Sequence, residues 1–169
     1  MKVVPCISIH FNSSKFFAMK NLLNHHDLNE LIDRLQTLTP ENRRKWGKMS
    51  IQEVLPHMTD PLWVAIGQKT ARIHKSIFYN SFLGKMIALY LPWPKGATTA
   101  PEFLPGTGGT AYTTFDQDRQ ALIDALQHFA RHGMEQDYHP NPVFGKLSRK
   151  AWARLMWRHT DHHLRQFGA

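Results

Sequence analysis

Ser148-Arg149-Lys150-Ala151-Trp152-Ala153-Arg154-Leu155-Met156-Trp157-Arg158-His159-Thr160-Asp161-His162-His163-Leu164-Arg165-Gln166-Phe167-Gly168 is the stretch on which the fold turns. Ser148 is a cap candidate, and Trp152, Leu155 and Met156 recur at helical spacing, which predicts a helix over 148–166 with those side chains inward. His159 and His163 are four residues apart, so they lie about 40° from each other on the helix with Cβ atoms roughly 5–6 Å apart. Each stands two turns after an inward residue, His159 after Trp152 and His163 after Met156. The histidines therefore point where the apolar face points, which costs free energy unless their nitrogens are satisfied. At this spacing two imidazoles can converge on one divalent ion, with metal–nitrogen distances of about 2.0–2.1 Å. The alternative is a pair of core histidines bonded to carbonyls or water.

Working outward, three more amphipathic patterns complete a bundle. Leu28, Leu31, Ile32, Leu35 and Leu38 form a stripe that predicts a helix over 22–38. Ser50-Ile51-Gln52-Glu53 reads as a capping box, with a helix following to about residue 68. Pro56 and Pro61 lie inside it, and each removes a backbone donor, so a kink or a broken first half is expected. Phe115, Leu122, Ala125, Leu126 and Phe129 share a face over 115–132. Between these patterns, 73–91 reads as an accessory helix. Four prolines and four glycines make 92–114 a long irregular connection. No strand-period run competes, except weakly over 1–10. The fold class expected is all-α.

The chain has 169 residues, 42% hydrophobic and 20% charged, which fits one globular domain and excludes wholesale disorder. Residues 1–20 carry no acid and no clear period. They read as an N-terminal extension to a single domain over 21–169. Cys6, the one cysteine, cannot form an internal disulfide and excludes a cysteine-based zinc site. No window is apolar for long enough to span a membrane, and 1–20 makes a poor secretory signal, so a cytoplasmic protein is expected.

Eleven histidines direct attention to a metal site. A third ligand must come from outside the last helix, and His57 is the natural candidate, on the stripe with Val54, Met58 and Ala65. Taken alone, it reads as a satisfied histidine on an apolar face. Asp60, one turn later, could orient a ligand through its free ring nitrogen, or be a solvated charge. His162 flanks the pair and could act as an acid/base group. His25, His26, His128 and His132 read as surface residues. His139 reads as a turn residue, and Glu53 is explained by capping. Gln166 either contacts the site or packs at the helix end.

These residues carry a resemblance. Trp46-Gly47-Lys48-Met49-Ser50, His57, His139-Pro140, Phe144-Gly145-Lys146-Leu147-Ser148, Trp152 and the closing His159–Gly168 run resemble the DinB-like (YfiT-like) metalloenzyme superfamily. Within it, the closer likeness is to a family of uncharacterised bacterial proteins ending in His-x-x-x-His-x-x-Gln-Phe-Gly. The resemblance covers about 22–168. It implies a four-helix bundle with a long crossover between its second and third core helices, and a nickel- or zinc-type site of three histidines. Those carry over to His57, His159 and His163. It further implies a small-molecule substrate, with a low-molecular-weight thiol and S-transferase or hydrolase-type chemistry as the specific expectation. A homodimer is also compatible with it. Pro56 and Pro61 beside His57, and Asn141-Pro142 after His139-Pro140, depart from the pattern.

The basic balance supports a second reading. Lys and Arg exceed Asp and Glu by 21 to 13. Lys69, Arg72, Lys75, Lys85 and Lys95 meet no acid between Pro61 and Pro101, with Phe78, Tyr79, Phe82, Tyr90 and Trp93 among them. A binding module for nucleic acid or an anionic membrane surface would have this composition. A covering helix packed on the bundle with its lysines solvated is the simpler explanation, and no nucleic-acid motif is present. Gly106-Thr107-Gly108-Gly109 lacks the lysine and the strand–loop–helix setting of a phosphate loop.

Overall fold

A computed structural model of the chain describes residues 19–96 and 98–169. Its regular structure is helical: α1 (His25–Gln36), α2 (Ile51–Ala65), α3 (Phe82–Tyr90), α4 (Phe115–Glu135) and α5 (Arg149–Phe167), with a 3-10 turn at Pro101–Phe103. No strand occurs among the described residues. Apart from Met19 and Lys20, the extension expected over 1–20 lies outside the described residues, and so does Cys6.

Each helix starts where a polar side chain caps it. Asn24, Ser50, Ser81, Thr114 and Ser148 accept from backbone N–H groups three residues on. At Ser50 the box is complete, because the Glu53 carboxylate accepts from the Ser50 backbone in return. Helices α1, α2, α4 and α5 pack on one another, α2 and α4 most extensively. Leu31, Leu35, Val54, Leu55, Leu126 and Trp152 are wholly buried at their centre. The α3 helix touches α5, and the 3-10 turn rests on α2.

Two expectations are corrected. The broken first half expected for α2 does not occur, and the helix runs on through Pro56 and Pro61. Eleven of its fifteen residues are buried, so burial surrounds it on nearly every side. An interior proline costs about 3 kcal/mol, and each well-buried aliphatic side chain returns about 1.5–3 kcal/mol, so packing outweighs the two missing donors. The accessory helix is also shorter than 73–91, because tertiary bonds hold its expected first half. His74 donates its backbone N–H to the Pro142 carbonyl and pairs with the Glu102 carboxylate through its ring. Asn80 takes a left-handed conformation, and Ser81 then starts α3. Ile77, Phe82 and Leu83 are left 86%, 79% and 66% exposed, so these apolar side chains do not face the core.

A locked aromatic corner fixes the connection into α5. Tyr138 stacks on Phe129 with ring centroids 4.2 Å apart and donates its hydroxyl to the Phe129 carbonyl. Trp152 donates its indole N–H to the His139 carbonyl at 2.9 Å. Gly133 makes room for this corner, since a Cβ there would collide with the Tyr138 hydroxyl. Gly133→Ala should therefore destabilise the fold by about 1–2 kcal/mol, as overpacked sites do, despite alanine's better helix propensity. Tyr138→Phe should relieve part of that loss in the double variant. Urea unfolding of the four proteins checks this, and a Gly133→Ala chain as stable as the parent contradicts it.

Candidate metal centre

The capping box fixes where α2 begins and so places His57 facing α5, where His159 and His163 stand one turn apart. One ring nitrogen from each of the three histidines lies within 4.8 Å of the others. The Nε2 atoms of His57 and His159 are 3.1 Å apart. Adjacent imidazole donors on one ion at about 2.0–2.1 Å stand roughly 2.9–3.4 Å apart, so this spacing suits a shared ion. The rings meet edge to face, with centroids 4.8–4.9 Å apart.

Hydrogen bonds on the far side of two rings set their tautomers. His57 donates Nδ1–H to the Phe103 carbonyl at 2.9 Å, which leaves the Nε2 lone pair directed at His159. His163 donates Nδ1–H to Gln166 Oε1 at 2.8 Å. The amide of Gln166 donates in turn to the Trp46 carbonyl at 2.6 Å, and Lys45 N–H donates to the Gln166 carbonyl. Such outer bonds orient metal-binding imidazoles and raise their basicity. Gly47 allows this close approach: it has φ +78°, and a Cβ there would collide with the Gln166 amide.

All three rings are held uncharged. Burial lowers the pKa of His57, against the opposing pull of the Phe103 carbonyl and Asp60. Burial and then the neighbouring His163 and His57 hold His159 well below its ordinary value. Burial and His57 bring His163 to about 3. Neutral imidazole is the form that ligates a metal.

The centre opens on a cavity of about 750 Å³. Val64, Phe103, Leu104, Phe144 and Met156 supply apolar wall, with Lys48 and Gln166 among the polar lining. His162 lines it too, its ring 5.8 Å from that of Trp46 and 5.9 Å from that of Trp93. Burial and the Arg165 guanidinium lower the His162 pKa. Asp60 is buried and does not reach a ring nitrogen. Its oxygens accept from Thr110 N–H and Oγ1 and pair with Lys69 at 2.7 Å, tying the crossover to α2. The partner of His57 is a backbone carbonyl of that crossover, for which a sequence carries no local signal. Gln166, three residues after His163 on one helix face, was open to spacing arguments.

The other described histidines lie elsewhere. His25, His26, His128 and His139 are exposed, and His132 faces the Asp137 carbonyl. His26, Asp27 and Glu30 form a second cluster of metal-binding residue types, but His26 is exposed and the two carboxylates are half-buried, and Asp27 and Glu30 already hold the Asn21 backbone and Lys20. Among the side-chain atoms described, the Trp46 indole N–H is the one buried donor without an acceptor, an arrangement that costs about 1–3 kcal/mol.

Burial of neutral imidazoles makes the metal-free fold acid-sensitive. The unfolded chain protonates these rings below about 6.5, where the folded chain does not. The unfolded state then binds more protons, so stability falls as pH drops through 6.5, and goes on falling towards about 3, where folded His163 protonates. At pH 5 the contribution of His163 alone amounts to about 2 kcal/mol. Urea unfolding of chelator-treated protein at pH 7.5 and pH 5 should show this loss, and His163→Gln should show a smaller one. Equal losses in the two proteins contradict the assignment.

No curated protein and no solved structure matches the chain. One family model does, over residues 18–169, a span that takes in every residue of the three-histidine centre and of the loops that orient it; the chain belongs to that family, described as Protein of unknown function (DUF1569).

Proposed function

We propose that the protein is a metal-dependent enzyme of the DinB-like type, with His57, His159 and His163 holding one divalent ion of the nickel or zinc kind. The observation that carries this reading is the meeting of three neutral imidazoles, two of them with tautomers fixed from behind, at the wall of an open cavity. A structural zinc site closes all four positions with protein ligands, whereas three ligands beside a cavity leave room for a reactant. When bound, such an ion supplies uncompensated positive charge and an open position, the chemistry that activates a water or a thiol for attack.

The chain's own residues supply the rest. Phe103 and Leu104 from the crossover and Phe144 from the loop before α5 exclude water from the reactant. His162, uncharged and on the cavity wall, accepts a proton from the attacking group and returns it to the leaving group. Asp60 is a positioning residue: through Thr110 it holds the segment whose Phe103 carbonyl orients His57. The reactions that suit this arrangement are thiol-dependent S-transfer or hydrolysis of a small molecule.

Metal content tests the reading. Full-length protein loaded with nickel or zinc at pH 7.5 and desalted should retain about one ion per chain. Alanine at 57, 159 or 163 should cut this to less than about a tenth, since two imidazoles bind far more weakly than three. His128→Ala should retain the parent's content. Parent protein that keeps no metal, or single variants that keep it all, overturns the proposal.

A further inference from the structure

A second groove, of about 580 Å³, lies on the other side of the wall formed by Trp46, Trp93 and His162, which line both spaces. Its polar lining is dominated by one sign of charge: Lys20, Lys95, Arg154, Arg158 and Arg165, against Asp161. Asp161 is already shared between Arg34 and Arg165, and Lys20 pairs with Glu30. Lys95, Arg154 and Arg158 have no carboxylate partner among the described residues. The two arginines are aimed by backbone instead. Arg154 Nε and Arg158 Nη1 both donate to the Leu89 carbonyl at 2.6 Å, and Arg158 Nη2 donates to the Leu91 carbonyl. Those bonds hold the guanidiniums in place and leave their charge uncompensated. Residues 1–18, which precede the groove's Met19 and Lys20, contain no Asp or Glu and cannot neutralise it.

The remaining lining is aromatic. Arg154 lies over Tyr90 at 4.8 Å, Arg158 over Trp93 at 5.8 Å and Lys95 over Trp46 at 4.8 Å. Cations seated on flat apolar faces suit a ligand with an apolar body and a fixed negative charge. The unpartnered indole N–H of Trp46 stands in the shared wall and offers a donor to an acceptor that arrives with a small shift of the ring.

We propose that this groove binds the carboxylate or phosphate end of an amphiphilic small molecule, whose apolar body passes between Trp46 and Trp93 into the histidine cavity. The site thus selects an anionic substrate, with the charge held apart from the reacting atoms. This deepens the metal-enzyme reading and rests on it only for which end reacts; binding of the anion does not need the ion.

Matched probes on chelator-treated, full-length protein separate the two claims. Phenylbutyrate and phenylbutyl phosphate are compared with neutral phenylbutanol at low salt, with tryptophan fluorescence and calorimetry as readouts. The anions should bind at least about tenfold tighter than the alcohol. Lys95→Glu, at an exposed residue whose change leaves the core intact, should reduce that preference below about threefold. Arg158→Gln should do the same, and Lys75→Gln, outside both cavities, should leave it unchanged. The better of the two anions names the acidic group. Equal binding of anion and alcohol overturns the proposal, as does a preference that survives Lys95→Glu. Inorganic phosphate binding as tightly as the amphiphiles also overturns it, because the apolar body would then contribute nothing. Tight binding of a short single-stranded oligonucleotide, lost in Lys95→Glu, overturns it in favour of nucleic acid. Any of these failures leaves the metal content of the loaded protein untouched, so the two readings fail separately.

Discussion

Three uncharged imidazoles facing one another inside a helical bundle set the constraint that the rest of this structure serves. Their lone pairs converge, and two ring nitrogens approach to 3.1 Å. In water, each nitrogen would find its own partner. Here burial removes the water, depresses the pKa values and leaves the rings to one another. A chain gains nothing in stability from this arrangement, which apolar side chains would fill better. The local rules of core packing are broken at this point while the surrounding bundle obeys them, which is the pattern of a functional site.

The frame carries that cost by over-determining the ring positions. The Ser50–Glu53 box fixes the start of α2, and buried contacts on almost every side keep α2 unbroken through two prolines. Asp60 draws in the crossover through Thr110, which brings the Phe103 carbonyl to His57. On the opposite side Gln166 joins His163 to the Trp46-Gly47 turn. Arg34 ties α1 to α5 through Asp161 and the final carbonyl at Ala169. Each tie joins segments far apart in sequence, so the geometry of the centre depends on the whole bundle rather than on α5 alone.

Much of this was legible in the sequence, for physical reasons. Amphipathic period and capping residues are local, so Leu28–Leu38, Ser50–Glu53 and Trp152–Met156 announced their helices. The i, i+4 spacing of His159 and His163 is likewise local. What failed to show was long-range. Nothing near Pro56 says that burial will keep the helix intact, and nothing near Ile73 says that His74 will be taken by Glu102 and Pro142. The role of Asp60 was misread for the same reason, since Thr110 and Lys69 reach it from outside its helix. The carbonyl of Phe103 leaves no trace in residue type at all.

The account stands on three histidines acting as one ligand set, and X-ray absorption at the metal edge of the nickel- or zinc-loaded full chain tests that most directly. It predicts a first shell of nitrogen and oxygen donors whose multiple scattering requires three imidazoles, with no sulfur. A spectrum fitted by one imidazole or none, or by the aquo ion, would contradict it and leave the convergence of His57, His159 and His163 without a metal to explain it.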